Sequence, residues 1–280
     1  MNAPLEDEFG DILEKARDGK NWSVDDLARA AGVPVGALRR MERYEIAPSD
    51  DEARRLAEAL DLDYPSLLAI ARGTWSPKPV PADPGPFDMV CLDLLMGSYP
   101  VKCYLVTCRA TGATALIDTA GNPRAVIERA RSLGVTPRMI LLTHAHPDHA
   151  GGLGMLDREF GCPAWIGPDE PRPAGSRDLR FVADSQSLPL GALAISVVFT
   201  PGHTAGGVTY RLGESLFSGD CLFAGSMGRA NASWPGLFHS VTLRLLTFPD
   251  PFRLYPGHGP ATTVGEEKRH NPFFRGKAPA

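Results

Sequence analysis

Apolar and polar positions change rhythm twice along the chain. Over residues 9–72 the apolar residues recur at helical spacing and no stretch reads as a strand. "SVDDLARAAGV" opens on Ser23 as a helix cap, has the acidic Asp26 three residues later, and places Leu27, Ala28 and Ala31 at helical spacing before Gly32 as a stop. "VPVGALRRMERYE" predicts a second short helix. "SDDEARRLAEALDLDYPSLLAIA" predicts a third and a fourth, with Ser49 or Asp50 as cap and Leu56, Ala59 and Leu60 on the buried face. The rhythm then breaks at residues 74–87, "TWSPKPVPADPGPF", where proline stands at 77, 79, 81, 84 and 86; this predicts a semi-rigid extended linker.

After the linker, apolar runs of strand length follow one another: "MVCLDLLM", "KCYLVTC", "TALIDTA", "RMILL", "AWIG", "LRFVA", "LAISVVFT", "GVTYRL", "SLFSGD" and "FRLYPG". Helices are predicted at "PRAVIERARSLG", with Pro123 at its start and Gly134 at its end, and at "GLGMLDREFG". Strands in mixed order with helices between them predict an α/β unit of sheet layers covered by helices. The chain is therefore read as a helical unit over residues 1–73, a linker over 74–87 and an α/β unit over 88–280.

Composition changes this picture little, with 43% apolar and 22% charged residues in a 280-residue chain, an ordinary globular profile. The acidic start "MNAPLEDEFGD" has no basic or long apolar stretch of a signal peptide, and the apolar runs are too short to cross a bilayer. Five cysteines without CxxC spacing predict free thiols in a reducing cytoplasm. The location of charge is more informative. Residues 1–75 carry ten Lys/Arg against sixteen Asp/Glu, whereas residues 76–280 carry nineteen against seventeen.

Candidate chemistry concentrates in "THAHPDHAGG". Three of the chain's seven histidines, His144, His146 and His149, fall within six residues together with Asp148. In an extended chain His144 and His146 share a face, and Pro147 both keeps His146 extended and suits the first turn of a following helix. Asp148 and His149 can then aim elsewhere, so one loop offers two ligand pairs to two adjacent positions. Imidazole and carboxylate suit zinc, and also iron or manganese. Further candidate ligands are His203 in "TPGHTAGG", Asp220 in "LFSGD" and His258 in "YPGHGP", each at a glycine-containing turn after a strand-like run.

With "IDTAG", "THAHPDH", "TPGHT", "SGD" and "PGHG" in this order, residues 88–275 resemble the metallo-β-lactamase fold superfamily, specifically its glyoxalase II-like hydrolases. The resemblance implies an αββα sandwich holding two divalent metal ions, zinc above all, with iron or manganese as alternatives. It implies that His144, His146 and His203 hold one metal, that Asp148, His149 and His258 hold the other, and that Asp220 bridges them. It implies hydrolysis by a hydroxide held between the metals, on a thioester or related acyl substrate, with Asp148 also carrying a proton. A mononuclear iron persulfide dioxygenase is the alternative within the same fold. Cys221 is expected in the core, Asp118 as a hydrogen-bonding residue behind the site, and His270 as structural. Trp234, Phe238 and His239 either line the mouth of the site or pack.

Residues 21–70 resemble the helix-turn-helix domain of phage-repressor-like regulators, with Leu27, Ala28, Gly32, Val33, Leu38, Glu42 and Pro48 at that family's core and turn positions. This implies a second class of function, a transcription regulator with a metal-binding sensor domain. DNA binding relies on cationic neutralisation of phosphate, and residues 1–75 are net −6. The start of the recognition helix, Pro34 to Ala37, also lacks base-reading side chains, although Arg39, Arg40 and Arg43 could grip phosphates. Self-association as a homodimer, or covering of the active site, is therefore expected ahead of DNA binding.

Overall fold

Local capping chemistry sets four of the five helix starts of the N-terminal unit. The structure is a computed structural model that describes residues 4–277. Five helices follow one another: α1 (Phe9–Gly19), α2 (Val24–Ala31), α3 (Val35–Glu42), α4 (Asp50–Leu60) and α5 (Tyr64–Ala71). The Ser23 hydroxyl accepts the Asp26 N–H at 3.1 Å while the Asp26 carboxylate accepts the Ser23 N–H at 3.0 Å, which satisfies two backbone donors at the start of α2. Ser49 and Glu52 repeat the arrangement on α4, so Ser49 is the cap rather than Asp50. The inner face of α4 is Ala53, Leu56, Ala57 and Leu60, and Ala59 sits half-buried at its margin.

Residues 74–86 form neither helix nor strand and lead into two six-stranded sheets. The first has spatial order β1 (Phe87–Met96), β2 (Tyr99–Cys108), β3 (Thr114–Ile117), β4 (Pro137–Leu141), β5 (Ala164–Ile166) and β6 (Leu179–Phe181). Its first three strands are antiparallel and β3 to β6 are parallel. The helices α6 (Pro123–Ser132), α7 (Pro147–Ala150) and α8 (Leu153–Phe160) lie between β3 and β5 in the chain. The second sheet contains β7 (Ser187–Leu190), β8 (Leu193–Phe199), β9 (Val208–Leu212), β10 (Ser215–Gly219), β11 (Arg253–Pro256) and β12 (Thr262–Thr263), side by side in that order reversed. Between β10 and β11 come α9 (Trp234–His239) and a π-helical turn, Ser240–Leu245; α10 (Val264–His270) follows β12.

The layers are those of an αββα sandwich. Tyr104, Ile117, Ile195, Val197, Tyr210 and Phe217 form the core between the sheets. Leu105, Leu116, Val126, Ile140 and Leu153 pack α6 and α8 on the outer face of the first sheet. A third cluster covers the outer face of the second sheet and takes in the helical unit: Ile12, Leu13, Leu38 and Leu56 are continuous with Leu237, Val241, Phe273 and Phe274. Cys221 belongs to this cluster at 4% exposure, and the five cysteines are free. The linker is strapped to the sandwich, since Trp75 stacks on His270 at 5.5 Å and the Pro81 carbonyl accepts from Arg253 Nε at 3.0 Å. No helix among the described residues is long and apolar enough to cross a membrane.

Candidate metal centre

Four loops meet at one end of the sandwich, each leaving the C-terminal end of a strand. His144, His146, Asp148 and His149 follow β4, His203 follows β8, Asp220 follows β10, and His258 follows β11. His146 is the extended residue before α7, with φ −60° and ψ 149°, and Pro147 starts the short helix that turns Asp148 and His149 into the site. The backbone must come very close at Gly257: a Cβ there would lie 2.4 Å from His149 Cε1 and 2.6 Å from Asp220 Oδ1. A glycine is needed at this position whatever its torsion angles.

Two clusters of donor atoms result, His144 with His146 and His203, and Asp148 with His149, Asp220 and His258, each within 4.8 Å. In the first, His146 Nδ1 lies 3.0 Å from both His144 Nε2 and His203 Nε2. In the second, His149 Nε2 is 3.3 Å from His258 Nε2 and 3.2 Å from Asp220 Oδ1, and His258 Nε2 is 3.2 Å from Asp148 Oδ2. Asp220 Oδ2 stands 3.6 Å from His203 Nε2 and 3.6 Å from His258 Nε2, so its carboxyl faces both clusters.

The outward nitrogens decide what the inward ones can do. His149 Nδ1–H donates to Asp118 Oδ2 at 2.9 Å, His203 Nδ1–H to the Arg229 carbonyl at 2.7 Å, and His258 Nδ1–H to the Pro100 carbonyl at 2.7 Å. His144 Nδ1 meets the Thr143 hydroxyl at 3.1 Å, whose own proton goes to Asp118 at 2.8 Å. With their Nδ1 protons directed outward, neutral His149 and His258 rings present bare Nε2 lone pairs to each other at 3.3 Å. Such an arrangement is repulsive unless protons or cations lie between the rings. The buried Asp220 Oδ1 likewise has no hydrogen-bond partner. The donor set therefore fits divalent metal ions.

Electrostatics point the same way. Burial holds His144 well below the ordinary histidine range, and it lowers His203 too. In the second cluster burial also opposes charge on the histidines, but the carboxylates prevail. Asp220 and Asp118 raise His149 well above its usual value, and Asp148 with Asp220 takes His258 up to about 9. Burial likewise opposes ionisation of Asp220, yet His149 holds it well below the carboxylate range. Protons and cations compete for these lone pairs, so metal uptake here is expected to release protons.

The chain's residues 96–258 match the metallo-beta-lactamase superfamily. The chain belongs to that family. Residues 13–67 match a helix-turn-helix family. The hydroxyacylglutathione hydrolase GloC of Haemophilus influenzae is 30% identical over 187 residues, which is 59% of this chain and 88% of the relative. Among solved structures, ETHE1 from Myxococcus xanthus superposes with a TM-score of 0.60 at 29% identity, covering 68% of this chain and 86% of its own. TTHA1623, solved in a di-iron-bound form, gives 0.57 at 32% identity, covering 65% and 100%. The chain is thus a metallo-beta-lactamase-fold protein with glyoxalase II-like hydrolase homologues and a helix-turn-helix region before the sandwich.

Around the site, Asp118 lies behind the candidate ligands and holds two histidines at once, His149 directly and His144 through Thr143. It accepts from the Thr143 N–H at 2.8 Å as well as from the Thr143 hydroxyl and His149. It does so from a left-handed backbone, φ 57°, which asparagine also tolerates. Asp118→Asn is expected to keep the fold and to weaken divalent-metal binding about 10–100-fold. Chelator competition measures this, and an unchanged affinity would reduce Asp118 to a packing residue. Trp234 and Phe238 pack on Phe273 and Phe274, with Trp234 also against Gly19 of α1, while His239 is exposed.

Sequence reasoning missed Glu170. This carboxylate, 5% exposed, accepts the Ala145 N–H at 2.8 Å and the Gly206 N–H at 3.0 Å, tying the His144–His146 loop to the His203 loop. A single Glu in "GPDEPRP" gives no motif by which to find it. On the helical unit, α3 leaves Arg39, Arg40 and Arg43 exposed, but Asp25 pairs with Arg39 at 3.5 Å and Glu45 with Arg40 at 3.3 Å.

Proposed function

We propose that this protein is a dinuclear metal-dependent hydrolase acting on a thioester or related acyl compound. The observation that carries this reading is the complete second cluster, Asp148, His149, Asp220 and His258, set beside the three-histidine cluster with Asp220 facing both. Two divalent cations, zinc foremost and iron or manganese as alternatives, would polarise the acyl oxygen and bring the pKa of water from about 15.7 to near 7. His144, His146 and His203 would hold one, Asp148, His149 and His258 the other, with Asp220 shared. Asp148 is the most open carboxylate of the set, with 23% of its side chain exposed. It can therefore accept a proton from water and hand it to solvent. A thiolate leaves without a general acid, so a thioester asks least of this donor set. Hydroxyacylglutathione hydrolase relatives support the same substrate class, and five free thiols suit the cytoplasm.

The test couples metal analysis to thiol release from a panel of acyl thioesters that includes a hydroxyacylglutathione. Close to two equivalents of zinc, iron or manganese are expected, with release abolished by chelation and restored by metal. One equivalent of iron with oxygen uptake on glutathione persulfide would move the reading to the dioxygenase. The helix-turn-helix match supports a second reading, a regulator, which a salt-sensitive nanomolar complex with the protein's own promoter fragment would establish.

A further inference from the structure

The segment from Gly225 to Arg229 is gripped from two sides. Toward the metal centre, the Arg229 carbonyl accepts the Nδ1–H of His203 at 2.7 Å. Next to it, a Cβ on Gly228 would lie 1.9 Å from the Asp220 carbonyl oxygen and 3.0 Å from His203 Nδ1. The backbone at 228 and 229 therefore lies directly on two of the candidate ligands.

The opposite grip comes from the helical unit. Lys15 of α1 donates to the Met227 carbonyl at 2.8 Å, and its ammonium pairs with Asp7, which also accepts from the Ser226 hydroxyl. Lys15, Asp7 and Ser226 are all buried. The Arg229 guanidinium then reaches two carboxylates one helical turn apart, Glu14 at 2.8 Å and Asp18 at 2.5 Å. One residue thus joins the two units: its side chain is held by α1 and its carbonyl fixes the ring of His203.

We propose that α1 of the helical unit is a positioning element of the metal centre, acting through Arg229 on His203. An imidazole ligand needs its second nitrogen held so that tautomer and ring orientation are fixed, and loss of such a partner weakens metal binding about 10–100-fold. The carbonyl at 229 cannot be deleted, but its placement depends on a side chain anchored at Glu14 and Asp18. Those anchors are partly exposed ion pairs, with 42% of each side chain accessible, and such pairs contribute little to folding by themselves. Their removal should therefore show in metal binding and not in global stability. By linkage, metal held at His203 must tighten α1 in return.

This inference rests on the metal-centre reading above, and its test is metal binding by the full chain, with no substrate involved. Zinc affinity is measured by chelator competition for the wild type, the Glu14→Gln/Asp18→Asn double variant and Arg229→Lys, and amide exchange in α1 is followed with and without zinc. The double variant is expected to keep its unfolding midpoint within a few degrees, to lose about tenfold in zinc affinity at one site, and to lose the zinc-dependent slowing of exchange over residues 9–19. Arg229→Lys, which can keep an ion pair to either carboxylate, should stay within about threefold of the wild type. Unchanged zinc affinity in the double variant, or α1 exchange indifferent to zinc in the wild type, overturns the proposal while leaving the metal reading in place. A wild type that takes up no divalent metal removes both.

Discussion

Asp220→Asn lowers kcat/KM for acyl-thioester hydrolysis by at least about 10²–10³-fold, the scale on which losing one charge-stabilising group acts in a buried polar site. Asp220 is the residue whose carboxyl stands 3.6 Å from a histidine of each cluster, and its Oδ1 is buried with no hydrogen-bond donor of its own. The amide has the same shape, so no cavity opens and the loops need not move. It removes the negative charge that two cations would share, and it turns either an N–H₂ group or a weaker carbonyl dipole toward them. Bound metal should fall from about two equivalents to one or fewer, with the circular dichroism spectrum unchanged. Full turnover with two metals retained would show that Asp220 is not shared between them, and the dinuclear reading would fail with it.

How much of this site could be read from the chain depended on how local its parts are. His144, His146, Asp148 and His149 fall within one strand-to-helix turn, so their convergence follows from backbone geometry alone. His203, Asp220 and His258 lie far apart in sequence, but each stands at a glycine-containing turn after a strand, and the structure brings all of them to the same end of the sandwich. The helix caps at Ser23 and Ser49 were legible for the same reason, since a capping box is complete within four residues.

Features that depend on distant partners were not legible. Strand β7, "SLPL", is the exception, missed for a local reason: Pro189 argues against a strand, and only the sheet edge, where it pairs with the next strand β8, tolerates it. Trp234 and Phe238 could have faced the site or the core, and the packing of α1 and the C-terminal phenylalanines decides for the core. Glu14 and Asp18 look in the sequence like any solvated helix face. Only the docking of the helical unit on the second sheet brings them to Arg229. The acidity of residues 1–75, which weighs against phosphate binding, is thus partly spent on contacts within the chain.

Glu267 should give the protein a pH-dependent stability that Glu267→Gln removes. The carboxyl is fully buried on α10 and accepts from the Thr262 hydroxyl at 2.7 Å, the Asn271 side-chain amide at 2.9 Å and the Gly225 N–H at 2.9 Å. Burial raises its pKa from 4.5 to about 7, since three neutral donors do not replace the lost hydration of an anion. A carboxyl whose folded pKa is raised binds its proton more tightly when folded. Its contribution is complete below about pH 4.5, where both states are protonated, and is lost as pH rises through 7. The shift corresponds to about 3 kcal/mol of stability lost between pH 4.5 and 8. Glutamine can keep all three contacts, because the Thr262 hydroxyl can accept as well as donate. Urea midpoints measured in chelator, so that metal linkage does not contribute, should therefore converge at acid pH and diverge in favour of Glu267→Gln toward pH 8. Parallel curves for the two proteins would mean that Glu267 titrates alike folded and unfolded. The loop that begins at Gly225 and ends on His203 would then be held by an ionised carboxylate at all pH values above 5.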